Sequence, residues 1–149
     1  MGIVEQLEEA KAETLEYFEL AEPQLQKTYG PGKWSVRHLL HHLSDSEIVF
    51  VYRIKRVIAQ PNQVIWVYDQ DAWAKALDYS TAPMELARAQ YVAARDAIIH
   101  CARRHYESAD RVRFVHSETG VRTLRDEFDK VVSHNRQHVR DIERALAGS

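Results

Sequence analysis

At 149 residues, with 45% hydrophobic and 28% charged residues and only 5 Gly and 4 Pro, the chain has the size and composition of one folded domain. Its net charge of −2, with both signs mixed along the sequence, offers no concentrated positive field for a phosphate backbone and argues against a nucleic-acid partner. The start from Met1 to Gln6 lacks the basic flank and apolar core of a signal peptide, no segment has the length of a membrane span, and the single Cys101 has no internal disulfide partner, so the expectation is a cytoplasmic protein without a membrane partner.

The first apolar pattern, Ile3, Leu7, Ala10, Leu15 and Phe18, recurs mostly at three and four residues among Glu and Lys and predicts an amphipathic helix that Pro23 closes. After the Tyr29-Gly30-Pro31-Gly32 turn, Ser35 is a good N-cap for a helix from Val36 to about Ala59, with Val36, Leu40, Leu43, Val51, Ile54 and Ile58 as its core stripe. From Pro61 to Ser80 the pattern is irregular and aromatic, with a short helix beginning near Asp71, and reads as a packed crossover whose Trp66, Tyr68 and Trp73 line a pocket mouth or cover the bundle. Thr81 is placed to cap the next helix, from about Pro83 to Tyr106. Val112 to Val121 alternates loosely around Ser117-Glu118-Thr119-Gly120, as a short hairpin would. Thr123 with Asp126 then resembles a capping box, and a last helix runs through Leu146 until Gly148. Four long helices, two modest connections and one long one predict an all-α four-helix bundle with a long crossover between helices 2 and 3, forming a single domain over 1–149.

Histidines carry the chemistry. The chain has 8 of them, and two pairs, His38/His42 and His134/His138, are spaced by four. That spacing puts both rings on one helical face, about 40° apart, where they can share a metal ion. Chance nearly supplies one such pair at this histidine content, so phase matters more than spacing. On the last helix Leu124, Phe128, Val131, Asn135, Val139, Ile142 and Leu146 define the apolar stripe, and His134 and His138 border it together with Glu127. On the second long helix His42 shares a flank with Leu39, Ser46, Val49 and Arg53, which makes it the least solvent-facing of His38, His41 and His42; His38 is the fallback third ligand. The alternative is that all of these are ordinary histidines held by hydrogen bonds.

The run Lys33-Trp34-Ser35-Val36-Arg37-His38-Leu39-Leu40-His41-His42-Leu43-Ser44-Asp45-Ser46-Glu47, with Ser133-His134-Asn135-Arg136-Gln137-His138-Val139, resembles the DinB-like superfamily of metal-binding four-helix bundles, also called the DinB/YfiT family. Tyr68 to Trp73 and Gly120 to Leu124 extend the resemblance over nearly the whole chain. In that family a Trp-Ser/Thr opening leads into a helix with the first ligand, and the final helix supplies an H-x-x-x-H pair, so the resemblance implies His42, His134 and His138 as metal ligands. It also implies a homodimer and a small-molecule substrate.

Three imidazoles leave positions open on a divalent ion, of which zinc and nickel are the first expectations, as catalytic sites require. Water or a thiol bound there loses its proton near neutral pH and attacks an ester, an amide or an electrophilic carbon. Family members that transfer low-molecular-weight thiols put a metal-dependent thiol transferase first, with such a thiol as co-substrate; a metal-dependent hydrolase and a non-catalytic metal-binding stress protein are the alternatives. Glu47 is a candidate base or histidine partner, or else an ion pair with an Arg such as Arg95. Arg53 is a candidate for an anionic substrate group, or else a salt-bridged Arg. Cys101 reads as a packed small side chain. A di-metal carboxylate bundle is disfavoured, because no histidine follows an acidic residue by three positions.

Overall fold

A computed structural model describes residues 1–148. In chain order its elements are helix α1 (Ile3–Tyr17), a four-residue helix α2 (Glu22–Leu25), α3 (Val36–Ala59), strand β1 (Val64–Ile65), α4 (Gln70–Ala76), α5 (Met84–His105), a 3-10 turn (Tyr106–Arg111), β2 (Arg113–His116), β3 (Gly120–Thr123) and α6 (Leu124–Ala147). The four long helices α1, α3, α5 and α6 form the bundle, and the long connection between α3 and α5 is the crossover. None of the helices described is long and apolar enough to cross a membrane.

Local chemistry explains most boundaries. The Ser35 hydroxyl accepts the His38 amide at 3.2 Å and starts α3. Thr123 and Asp126 form the reciprocal capping box at the start of α6. Two caps differ from expectation. Asp69 caps α4 by accepting the Asp71 and Ala72 amides, so that helix begins just before Asp71. Thr81 caps nothing: its hydroxyl is bonded to Asp78, and the residue before α5 is Pro83, whose fixed φ of −63° leads into the helix without a side-chain cap. Pro23 sits in the first turn of α2, where its missing N–H is no loss, while α1 has already ended at Tyr17.

The hairpin is present, shifted toward the C-terminus, with Gly120 at φ 81° after the turn. β1 adds to it in parallel, Val64 opposite Val115 and Ile65 opposite His116. This pairing ties the crossover to the segment before α6. A strand of two residues has no period to betray it.

The core falls into two apolar clusters. One gathers Leu7, Phe50, Ile54, Ile98, Phe128 and Val131; the other gathers Phe18, Leu39, Leu43, Tyr91 and Ile142. Between them in sequence, on every long helix, lies a buried polar network. Arg95, fully buried, donates to Glu47 through Nε at 2.8 Å and Nη2 at 2.7 Å, to the Leu7 carbonyl at 3.0 Å and to Asn135 Oδ1 at 2.8 Å. Asn135 Oδ1 also accepts the Tyr91 hydroxyl, and its Nδ2 donates to Thr14. Glu47 is thus the partner of Arg95, the second of the two roles open to it from sequence.

Arg95→Met leaves Glu47 buried without its counter-charge and should lower unfolding stability by about 3–5 kcal/mol in urea titrations. Arg103→Ala, which removes an exposed pair with Glu8, should barely move the midpoint. Equal, small effects would refute the network's role.

Candidate metal centre

α3 and α6 bring His42, His134 and His138 together. One nitrogen from each lies within 4.8 Å of the other two. The Nε2 atoms of His42 and His134 are 3.0 Å apart, and the ring of His138 stands edge-on to both, with centroids 4.7 Å from His42 and 4.6 Å from His134. Two nitrogens sharing one tetrahedral ion at about 2.0–2.1 Å stand about 3.3 Å apart. The His42–His134 pair therefore needs only a slight opening to share an ion.

The electrostatics suit that role. His42 is pushed down to about 3 by burial, with His138 adding to the shift, and His134 down to about 2 by burial and then by His138 and His42. Burial also lowers His138, partly opposed by Asp141. All three rings are neutral at physiological pH, the form that ligates metals.

The surroundings fix the rings. Asp141 Oδ2 lies 3.4 Å from His138 Nδ1, off the axis of a good hydrogen bond, and among the described residues this buried nitrogen has no aligned partner. A carboxylate on that side favours a proton on Nδ1 and leaves Nε2 as the lone pair. His42 packs against Trp34 at 5.1 Å, and its Nδ1 is 3.4 Å from the Tyr68 hydroxyl. Ser46 Oγ is 3.4 Å from His42 Nε2 and 2.7 Å from the same hydroxyl. Phe50 stands edge-on to His134 at 5.5 Å.

Three of the five other histidines are engaged elsewhere. His38 bonds Ser35 through Nδ1 at 2.9 Å, and His41 stacks on Tyr79 and donates to the Ala82 carbonyl at 3.1 Å. His116 Nδ1 accepts the Glu118 and Thr119 amides in the hairpin turn. Arg53 is buried, 3.5 Å from Glu127 and donating to the Trp66 carbonyl at 3.0 Å, so it is the salt-bridged Arg of the two readings. Cys101 is buried. Sequence reasoning missed Asp141 and the Tyr68–Ser46 contact. The signal for Asp141 is its place three residues after His138, one turn along the same face.

A family model described as the DinB superfamily matches residues 6–142. The chain belongs to the DinB superfamily. Among solved structures, this DinB chain superposes on YfiT from Bacillus subtilis with a TM-score of 0.88 and 26% identity, covering 97% of this chain and 84% of that one. That protein is described as "a probable metal-dependent hydrolase with an unusual four-helix bundle topology". A protein of Oceanobacillus iheyensis is 27% identical over 130 residues, 87% of this chain and 75% of the relative. A protein of Halalkalibacterium halodurans is 42% identical over 60 residues, which span 40% of this chain and 35% of the relative. Both carry the name "putative metal-dependent hydrolase".

Because His42 and His134 titrate below the unfolded value of about 6.5, protons bind the unfolded chain first as pH falls, and metal-free protein loses stability from there downward. Urea midpoints of chelator-treated protein at pH 7.5 and pH 5 should show the drop, and His134→Gln should shrink it. A midpoint flat across that window would contradict neutral burial of the rings.

Proposed function

We propose that this DinB protein is a metal-dependent enzyme whose divalent ion is held by His42, His134 and His138. One observation carries the reading: three neutral imidazoles, His42 buried and His134 and His138 half-buried, bring a nitrogen each within 4.8 Å of one another, with Asp141 behind one of them. Three neutral ligands leave the coordination sphere open. A bound divalent ion supplies Lewis-acid activation of water or of a thiol near neutral pH.

The chain's own residues do the rest. Asp141, 3.4 Å from His138 Nδ1, favours the proton on that nitrogen electrostatically and so leaves Nε2 for the ion. Tyr68, Ser46 and Trp34 hold His42 in its rotamer. Glu47 and Arg53 are bound to Arg95 and to Glu127, so they stiffen the scaffold on which the histidines stand.

Two reactions fit such a site. Transfer of a low-molecular-weight thiol to an electrophilic carbon is supported by the chain's likeness to family members that use such thiols, and zinc or nickel suits both sulfur and imidazole ligands. Hydrolysis is supported by the names of the relatives, and an ester or amide carbonyl is the kind of group that a water activated there would attack.

Purified protein should hold about one divalent ion per chain by elemental analysis. His42→Ala, His134→Ala and His138→Ala should lose it, His38→Ala should keep it, and Asp141→Asn should weaken retention by about 10–100-fold. Unchanged metal content in the three ligand variants would sink the site. The reaction is read by offering monobromobimane or chlorodinitrobenzene with bacillithiol, mycothiol or glutathione, beside an ester and amide panel, before and after chelation. Chelator-sensitive turnover in either arm selects that reaction, and silence of both in metal-loaded protein refutes the enzyme.

A further inference from the structure

The crossover lies along α3 and leaves a cavity of about 370 Å³ between them. That volume falls in the range of about 300–1,000 Å³ typical of small-molecule sites. Aromatic side chains dominate its wall: Tyr52 from α3 and Trp66, Tyr68 and Trp73 from the crossover. Trp66 is 74% exposed and Tyr52 57% exposed, so this wall holds large apolar groups in water.

Two guanidinium groups reach the cavity, and they are differently placed. Arg53 is engaged by Glu127 and the Trp66 carbonyl. Arg56 has one side-chain partner, the Tyr52 hydroxyl at 3.1 Å, and its guanidinium carbon lies 5.9 Å from the Tyr52 ring centre. Among the described residues no carboxylate pairs with it. A guanidinium has five N–H donors, so the side of Arg56 that faces the cavity can take an anion in a bidentate pair.

The cavity also touches the histidine cluster. Tyr68 stands edge-on to Trp73 at 5.0 Å on the cavity side, while its hydroxyl contacts Ser46 at 2.7 Å and His42 Nδ1 at 3.4 Å. One side chain is a wall of the cavity and a support of a metal ligand.

We propose that this cavity binds a small organic acid, an aromatic or branched apolar group held among Trp66, Trp73 and Tyr68 with its carboxylate on Arg56. That the acid is a substrate rests on the metal-enzyme reading; that it binds does not. The anionic role assigned from sequence to Arg53 passes to Arg56, three residues further along the same helix face.

The test uses calorimetric titration of the whole protein, with and without metal, against 3-phenylpropionate, 3-phenylpropan-1-ol and acetate. The acid should bind once per chain, the alcohol at least about ten-fold more weakly, and acetate not measurably, because both the ring and the charge are needed. Arg56→Gln should bring the acid down to the alcohol's affinity. Trp66→Ala, at an exposed position that does not endanger folding, should weaken acid and alcohol alike. Indole proton resonances should move for Trp66 and Trp73 and stay still for Trp34. His134→Ala separates the two readings, since it should empty the metal centre and leave acid binding in place. No binding by the acid, a preference for acid that survives Arg56→Gln, or shifts confined to Trp34 would each overturn the proposal. So would a chain that sediments as a dimer with this face closed to the probe.

Discussion

The Arg95–Glu47 ion pair is the constraint on which the arrangement of the bundle depends. Two unit charges sit where water cannot reach them, and such burial is tolerated only when every donor and acceptor finds a partner. Arg95 meets that demand by reaching three other helices: Glu47 on α3, the Leu7 carbonyl on α1 and Asn135 on α6. A helix turned by one residue rotates its side chains by about 100°, which would strand a charge. Each helix is therefore locked in rotation as well as in position. His134 is the residue before Asn135, and His42 lies five positions before Glu47. Fixing Glu47 and Asn135 fixes both rings, and the cluster inherits its geometry from a network that never touches a ligand nitrogen.

That arrangement also sets the charge at the site. Carboxylates that might have approached an ion are held elsewhere: Glu47 by Arg95, Glu127 by Arg53, and Asp45 by Tyr79 and Gln90. Asp141 is the acid that faces the cluster, and it stands behind a ring rather than beside a lone pair. An ion bound by neutral imidazoles alone keeps its full positive charge, which makes it a stronger Lewis acid than one neutralised by carboxylates. The cost is that three rings are withdrawn from water in a form that resists protonation, visible as their depressed pKa values.

Helix existence and phase were legible because a 3.6-residue period repeats over about four to seven turns in each long helix, and the caps at Ser35 and Thr123 have local sequence signatures. The histidine cluster was partly legible for the same reason: His134 and His138 border the apolar stripe, so they had to approach a neighbouring helix. What could not be read was any feature made by two distant segments with no period of their own. β1 is two residues long and exists only because β2 lies beside it. Asn135 lies in an apolar stripe because its partners, Arg95, Tyr91 and Thr14, come from other helices. The choice for Glu47 between base and ion pair, and for Arg53 between anion site and salt bridge, turned on partners 48 and 74 residues away.

α3 explains why the crossover is long. Its inward face builds the core, while its remaining faces carry a row of polar groups that each hold a point of the crossover. Arg37 donates to the carbonyls of Tyr79 and Ala82, His41 to that of Ala82, Asp45 accepts the Tyr79 hydroxyl, Ser46 contacts Tyr68, and Arg53 donates to the Trp66 carbonyl. The spacing of Arg37, His41 and Asp45 by four residues is a stripe, so the histidine-rich start of α3 serves two faces: His41 holds the crossover and His42 faces α6. A shorter connection could not lie along these points. The crossover is thus seated on the same helix that carries His42, and Tyr68 and Ser46 join the two. A displacement of the crossover would reach the histidine cluster through that contact, while the ion pair at the centre of the bundle held the helices still.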